Sequence, residues 1–238
     1  MAEVGIGGGQ MTPRWSAPRA LLFDLDGTLV HSLPDLADAV DAMLASYQLP
    51  ALGEAHISSM VGNGSRKLIE RALSASSWCG APGHSDELLA DAHHRFLQHY
   101  RQHVCVRSSL CPGVAEQLPV LQQAGIKLAV VTNKPIEFVP PLLKALAIAD
   151  VFSLLIGGDS LPEKKPSALP LQQACAQLGV PVADSIMVGD SRTDIEAARA
   201  AGMRVVAVSF GYNHGEPVAA SRPDAIIDNL NELPALWR

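Results

Sequence analysis

"LLFDLDGTLV", residues 21–30, sets two aspartates into an otherwise apolar run. Leu21, Leu22, Phe23, Leu25, Leu29 and Val30 read as a buried strand and its exit. An unpaired carboxylate in such a place is costly, so Asp24 and Asp26 need a reason to be there. The rest of the chain supplies one. From Leu110 onward strand and helix patterns alternate. A helix over 113–125 closes on Gly125, a C-cap signal. A strand over 126–132 precedes a helix over 136–148, which Pro140 and Pro141 either kink or open. A strand over 153–159 leads to a helix over 166–179, with Pro166 expected at its first position. A strand over 185–190, a helix over 191–202 closed by Gly202, and strands over 203–210 and 224–229 complete the pattern.

Continuous apolar strands alternating with helices predict an α/β fold, a parallel sheet covered on both faces. Ligands of such sheets sit beyond the carboxyl ends of the strands. Asp24, Thr132, Asp159 and Asp190 each stand at or just past a predicted strand end, and are expected to converge. Residues 34–107 break the alternation. Amphipathic helices are expected over 34–49, 64–76 and 86–104 with no strand between them. This predicts a helical domain inserted after the first strand, leaving 18–33 and 108–238 as the core. Residues 1–17 read as a flexible tail, whose "GIGGG" follows no strand and so makes a poor phosphate loop.

Composition narrows the function. The 238 residues carry a net charge of −6 and no basic run, which disfavours a nucleic-acid partner. Cys79, Cys105, Cys111 and Cys175 form no C-x-x-C pair, and no apolar run is long enough for a membrane span. Without a signal peptide, the expectation is a cytoplasmic protein. His99 and His103 are four apart on one predicted helix, but lack a third metal ligand and read as a solvated face.

Converging strand ends would crowd Asp24, Asp26, Asp190 and Asp194 into one small volume, where each raises the others' pKa. A divalent cation or protonation of one acid relieves this, and oxygen-only ligands suit Mg²⁺. A phosphate also needs donors and positive charge. Thr132 and Asn133 offer them after the second strand, as does Lys165 before Pro166, with Lys164 as the neighbouring alternative. A carboxylate beside such a cation can attack phosphorus, and a second acid can move protons. Asp24 and Asp26 fit those roles. Each residue also has a plainer duty: Asp26-Gly27 suits a turn, and Ser191-x-x-Asp194 suits a capping box.

These motifs resemble those of the haloacid dehalogenase-like hydrolases. "FDLDGTLV" (23–30), "VVTNK" (130–134), "EKKP" (163–166) and "MVGDSRTDIEAARAAG" (187–202) look like the family's four motifs, in order. The resemblance implies a Rossmann-like, doubly wound core with an α-helical cap. It implies Asp24 as nucleophile and Asp26 as acid/base. Mg²⁺ would be held by Asp24, the Asp26 carbonyl and Asp190, with Asp194 in support. Thr132, Asn133 and Lys165 would bind phosphate. "SLPDLADAVDAML" (32–44), "VGNGSRKLIERAL" (61–73), "CPGVAEQLPVLQQAG" (111–125) and "IGGDSLPEKKP" (156–166) look like the phosphoglycolate phosphatase subfamily. That likeness implies hydrolysis of 2-phosphoglycolate, a small phosphate-ester substrate; monomer and homodimer both stay open. His31, Cys111 and Ala168 depart from the subfamily pattern. In the cap, Gly64 lets backbone approach a substrate closely and Arg66 is a candidate for pairing with a carboxylate, the alternative being a surface turn with an exposed arginine. Alternatives are a phosphatase of another ester such as a sugar phosphate, a phosphomutase, a phospho-accepting receiver, or a phosphate-ester binding protein.

Overall fold

The computed structural model describes residues 15–76 and 86–237. Cys79 and the first fourteen residues of the expected tail lie outside them. The tail's last part is not free: the Trp15 amide donates to the Leu236 carbonyl at 3.0 Å, and Arg204 lies over the Trp15 ring.

The strands are β1 (Ala20–Phe23), β2 (Val30–His31), β3 (Ser109–Leu110), β4 (Lys127–Val131), β5 (Leu154–Ile156), β6 (Ser185–Gly189), β7 (Arg204–Val208) and β8 (Ala225–Ile227). The helices are α1 (Leu33–Ala45), α2 (Gly53–Ile57), α3 (Ser65–Ala75), α4 (Asp86–Gln102), α5 (Val114–Gln123), α6 (Val139–Ala145), α7 (Leu169–Leu178) and α8 (Arg192–Ala201). Six strands form one parallel sheet in the order β5-β4-β1-β6-β7-β8. Phe23 is aligned with Val130 on one side and Val188 on the other. The chain thus adds strands first to one flank of β1 and then to the other. That reversal opens a crevice at the carboxyl end of β1, where Asp24 begins.

Strand periodicity sorts the core into two layers. Leu21, Phe23, Leu128 and Val130 pack with Leu118 of α5 and Leu142 of α6. Ala20, Leu22, Ala129 and Val131 face the other way, onto Leu171 of α7 and Ile195 of α8. Both faces are covered, so the strands are apolar throughout and only their ends can carry polar chemistry. Helices α1, α3 and α4 share a separate apolar cluster that includes Val40, Met43, Ile69, Leu73 and Phe96. The chain enters and leaves this layer through β2 and β3, which pair antiparallel, Val30 with Leu110 and His31 with Ser109.

Local details differ from the sequence reading. Pro166 does not open α7, which begins at Leu169 with Pro170 in its first turn. The intervening residues form a turn, with the Ser167 amide bonded to the Lys164 carbonyl and the Leu169 amide to Ser167 Oγ. Pro140 and Pro141 do not kink a long helix. They lie in the first turn of the short α6, where a missing N–H is harmless. Helix α2 and the 3-10 turns at 58–60 and 230–236 carry too little periodicity to be read from sequence.

Candidate active site

Where β1 ends, the Asp24 amide still bonds to the Val188 carbonyl at 2.9 Å, so its side chain emerges at the sheet's rim. The chain then turns sharply. The amides of Thr28, Leu29 and Val30 all point to the Leu25 carbonyl, and Gly27 takes φ +89°. A side chain at Gly27 would collide with Asp190 Oδ2 as well as meeting a strained backbone. The turn reading of Asp26-Gly27 is correct, and the turn serves to bring Asp26 and Asp190 to the same rim.

Asp190 follows β6 directly. Thr28 Oγ1 donates to its Oδ1 at 2.9 Å and the Tyr212 amide to its Oδ2 at 2.5 Å. Asp194 lies one turn into α8 and closes a capping box with Ser191. Its Oδ2 accepts from Ser191 Oγ at 2.7 Å and from the Ser191 amide at 3.1 Å, while its Oδ1 receives the Lys165 ammonium at 2.6 Å. Lys165 Nζ also stands 2.9 Å from Asp24 Oδ1. Asp194 therefore caps the helix, as expected, and also holds the Lys165 ammonium, a contact the sequence reading did not foresee.

Asp24, Asp190 and Asp194 have carboxylate oxygens within 4.8 Å of one another, and all three are buried. One ammonium, Lys165, contacts two of these carboxylates, Asp24 and Asp194. With all three ionised, the cluster carries two negative charges beyond the one ammonium, which matches a divalent cation. Asp24 Oδ1 is buried, and the Lys165 ammonium is its one close polar partner among the described residues. Burial, opposed by Lys165 and aided by Asp194 and Asp26, lifts the Asp24 pKa to about 6. Burial and then the neighbouring Asp194 and Asp24 carboxylates hold Asp190 well above the usual carboxylate range. The all-oxygen donor set fits a hard divalent ion.

Thr132 and Asn133 follow β4 as expected, and both are buried. Asn133 Nδ2 donates to the carbonyls of Lys165, at 3.0 Å, and Gly62, at 3.2 Å, leaving its Oδ1 without a partner. Asp24, Asp26, Thr132 and Asn133 line a cavity between the sheet rim and the helical layer. Leu36, Leu68, Phe96 and Phe138 supply apolar wall.

The cap candidates fare differently. Gly64 lines the cavity, but its close neighbours are Lys164 Nζ and the Asn133 carbonyl, so its lack of a side chain lets cap and core meet. Arg66 does not line the cavity: it is exposed, with Nη2 3.4 Å from Asp86 Oδ1. Of the two neighbouring lysines, Lys165 is the buried one, while Lys164 donates to the Asn63 carbonyl. Asp159 is exposed and accepts from the Ile136 amide, so it stays outside the cluster.

Sequence reasoning passed over Lys134. Its side chain is 3% exposed, with Nζ 2.9 Å from Asp26 Oδ1, and Ser32 Oγ donates to that same oxygen at 2.6 Å. The Asp26 carboxylate outweighs the burial that works against the ammonium, and holds the Lys134 pKa above its ordinary value. The available signal was position: a lysine three residues past an apolar strand, next to two residues already marked as site candidates. Cys105, Cys111 and Cys175 are free thiols.

A family model described as haloacid dehalogenase-like hydrolase matches residues 21–208. A phosphoglycolate phosphatase of Pectobacterium atrosepticum is 44% identical over 218 residues, 92% of this chain and 92% of the relative. The crystal structure of a predicted phosphoglycolate phosphatase from Haemophilus somnus matches with a TM-score of 0.88 at 37% identity, over 94% of this chain and 99% of that one. A mutant of CbbY from Rhodobacter sphaeroides, solved in complex with xylulose-1,5-bisphosphate, matches with a TM-score of 0.75 at 26% identity, over 91% of this chain and 96% of that one.

Proposed function

This chain belongs to the haloacid dehalogenase-like hydrolases, and from that membership and the site's geometry we propose that it hydrolyses 2-phosphoglycolate to glycolate and phosphate. The observation that carries the reading is the charge arrangement at the cavity floor: a buried nucleophile candidate, Asp24, with one ammonium among three carboxylates, and a second acid, Asp26, on the cavity wall.

The steps follow from these positions. The Asp24 carboxylate attacks phosphorus, the bond from phosphorus to the glycolate oxygen breaks, and Asp26 gives that oxygen a proton. Water then attacks the aspartyl-phosphate. Asp26 takes its proton, and phosphate leaves with Asp24 restored. Lys165, held between Asp24 and Asp194, offsets charge on the transferring group without needing to reorganise. The Thr132 hydroxyl accepts from the Lys134 amide at 3.2 Å, which leaves its own proton for a phosphate oxygen. Asp24, Asp190 and the Asp26 backbone carbonyl would hold Mg²⁺, with Asp194 acting through Lys165 and the Ser191 turn. When bound, that ion supplies charge neutralisation and orientation of the phosphoryl group. The helical layer over the cavity keeps bulk water from the acyl-phosphate.

Among the described residues no helix is long and apolar enough to cross a membrane. The three cysteines among the described residues are free thiols, which supports a reducing, cytoplasmic setting. The test is phosphate release from a panel of small phosphate esters, with Mg²⁺ and with chelator. Metal-dependent turnover fastest on 2-phosphoglycolate supports the proposal. Metal-dependent turnover favouring a sugar phosphate overturns the substrate and keeps the mechanism, and no release from any ester overturns both.

A further inference from the structure

Lys134 is the only cation among the described residues that line the cavity. It sits in largely apolar surroundings, with Nζ 4.6 Å from the centroid of the Tyr100 ring on α4. An ammonium has three donors, and Asp26 accounts for one side of it. The buried Tyr100 hydroxyl has the Lys134 ammonium as its polar neighbour and no acceptor for its own proton. Lys134 cannot accept its proton, because an ammonium has no lone pair. A buried phenol without an acceptor is unusual, and this one lines the same cavity as the free side of the lysine. Together they form a place for an anion, one donor from the core and one from the cap.

The chemistry of 2-phosphoglycolate puts an anion there. Its carboxylate carbon lies two bonds beyond the ester oxygen. Asp26 must touch that ester oxygen to protonate it, and Asp26 is in direct contact with Lys134. A carboxylate on the leaving group therefore falls beside Lys134 when the phosphate is at Asp24.

We propose that Lys134 Nζ and Tyr100 Oη are the subsite that recognises the substrate's carboxylate, a role the exposed Arg66 does not fill. This rests on the substrate reading above. It makes discrimination a matter of buried charge pairing: an ester without the second anion leaves both donors unpaired. It also makes binding sensitive to cap position, since Tyr100 comes from the helical layer and Lys134 from the sheet rim.

The experiment compares kcat/KM for 2-phosphoglycolate and for ethyl phosphate, which has the same skeleton with a methyl group in place of the carboxylate. Wild type, Lys134→Met and Tyr100→Phe are measured with Mg²⁺, each after its thermal unfolding shows a folded protein. Wild type is expected to prefer 2-phosphoglycolate strongly. Lys134→Met should lose at least about 100-fold more on 2-phosphoglycolate than on ethyl phosphate, because truncating a buried charge partner is expensive. Tyr100→Phe should lose about 10-fold on 2-phosphoglycolate, mostly in KM, and little on ethyl phosphate. Equal losses on both esters would mean that Lys134 only positions Asp26, and the inference falls while the substrate reading stands. A wild type that treats the two esters alike overturns the substrate reading and this inference with it. Should Lys134→Met fail to fold, Tyr100→Phe decides by the same ratio.

Discussion

The Lys165 ammonium is held by Asp194 across 2.6 Å, with both side chains 1% exposed. That contact fixes the cation that also faces Asp24. Replacing Lys165 with Met leaves three buried carboxylates without their ammonium. The expected cost is about 3–5 kcal/mol of stability in chelator, and phosphate release should fall by about 1,000-fold or more. Urea unfolding and turnover of the purified variant check both. Near-normal turnover would remove Lys165 from the chemistry.

The acid cluster makes metal-free stability depend on pH. Burial raises Asp24 to about 6, against Lys165 and with help from Asp194 and Asp26, and raises Asp190 in the same direction. An acid whose folded pKa exceeds its unfolded value of about 4 adds stability below that value and loses it as pH rises through the folded one. In chelator, the Asp24 contribution should therefore decline from about pH 4 to about pH 6, and the Asp190 contribution should fall in the same direction as pH rises. Mg²⁺ at about 100 times its Kd should restore about 2.7 kcal/mol at neutral pH, or about 5–10 °C in Tm. Asp190→Asn should abolish the Mg²⁺ effect. Thermal scans with Mg²⁺ and with chelator across this pH range are the measurement, and an absence of any Mg²⁺-dependent shift would refute it.

Asp190 is confined by what its neighbours lack. A side chain on Gly211 would overlap Asp190 Cβ, and one on Gly189 would overlap Asp194. Gly211→Ala is expected to push Asp190 off its contacts with Thr28 and the Tyr212 amide. Mg²⁺-dependent turnover should drop by about 100-fold, the order expected for misplaced catalytic geometry. Titrating activity against Mg²⁺ gives the result, and an unchanged Mg²⁺ requirement would count against this account of the two glycines.

Asp35 ties the two ends of the helical layer together. From the first turn of α1 it accepts from the amides of Val106, Arg107 and Ser108 at 2.8–3.0 Å and from Ser108 Oγ at 2.6 Å. Burial opposes its charge, but these donors win and hold its pKa below the usual value. The sign is opposite to that of Asp24: this stability is present above about pH 4 and is lost as pH falls through the folded pKa. Asp35→Ala should cost about 2–4 kcal/mol at pH 7, and the gap to wild type should narrow at about pH 3. Urea unfolding at the two pH values tests it.

Much of this architecture was legible because the parallel sheet hides its strands on both faces. Apolar runs marked the strands, and the first polar residue after each run marked the rim. That rule found Asp24, Thr132 and Asp190. It misjudged Asp159, which satisfies a local amide instead. Lys134 escaped because its meaning comes from Asp26 and Tyr100, far away in sequence and joined only by folding. Of the two readings open for Arg66 after the glycine turn at 62–66, the exposed surface arginine is the one the structure has, because a turn's sequence does not say whether the next side chain looks into a cavity or out to Asp86. Pro166 shows the limit of a positional preference when a second proline, Pro170, lies four residues on and takes the role.

The paired crossings β2 and β3 have an architectural consequence. The helical layer departs at His31 and returns at Ser109, its direct partner in the two-stranded ladder. Paired residues on neighbouring strands lie only about 5 Å apart. A short turn joining those two positions would excise the whole excursion without disturbing the register of the six-stranded sheet. The lid is in this sense a replaceable part. A different set of helices could be grafted onto the same two anchor points, exchanging what the catalytic base accepts while leaving its chemistry in place.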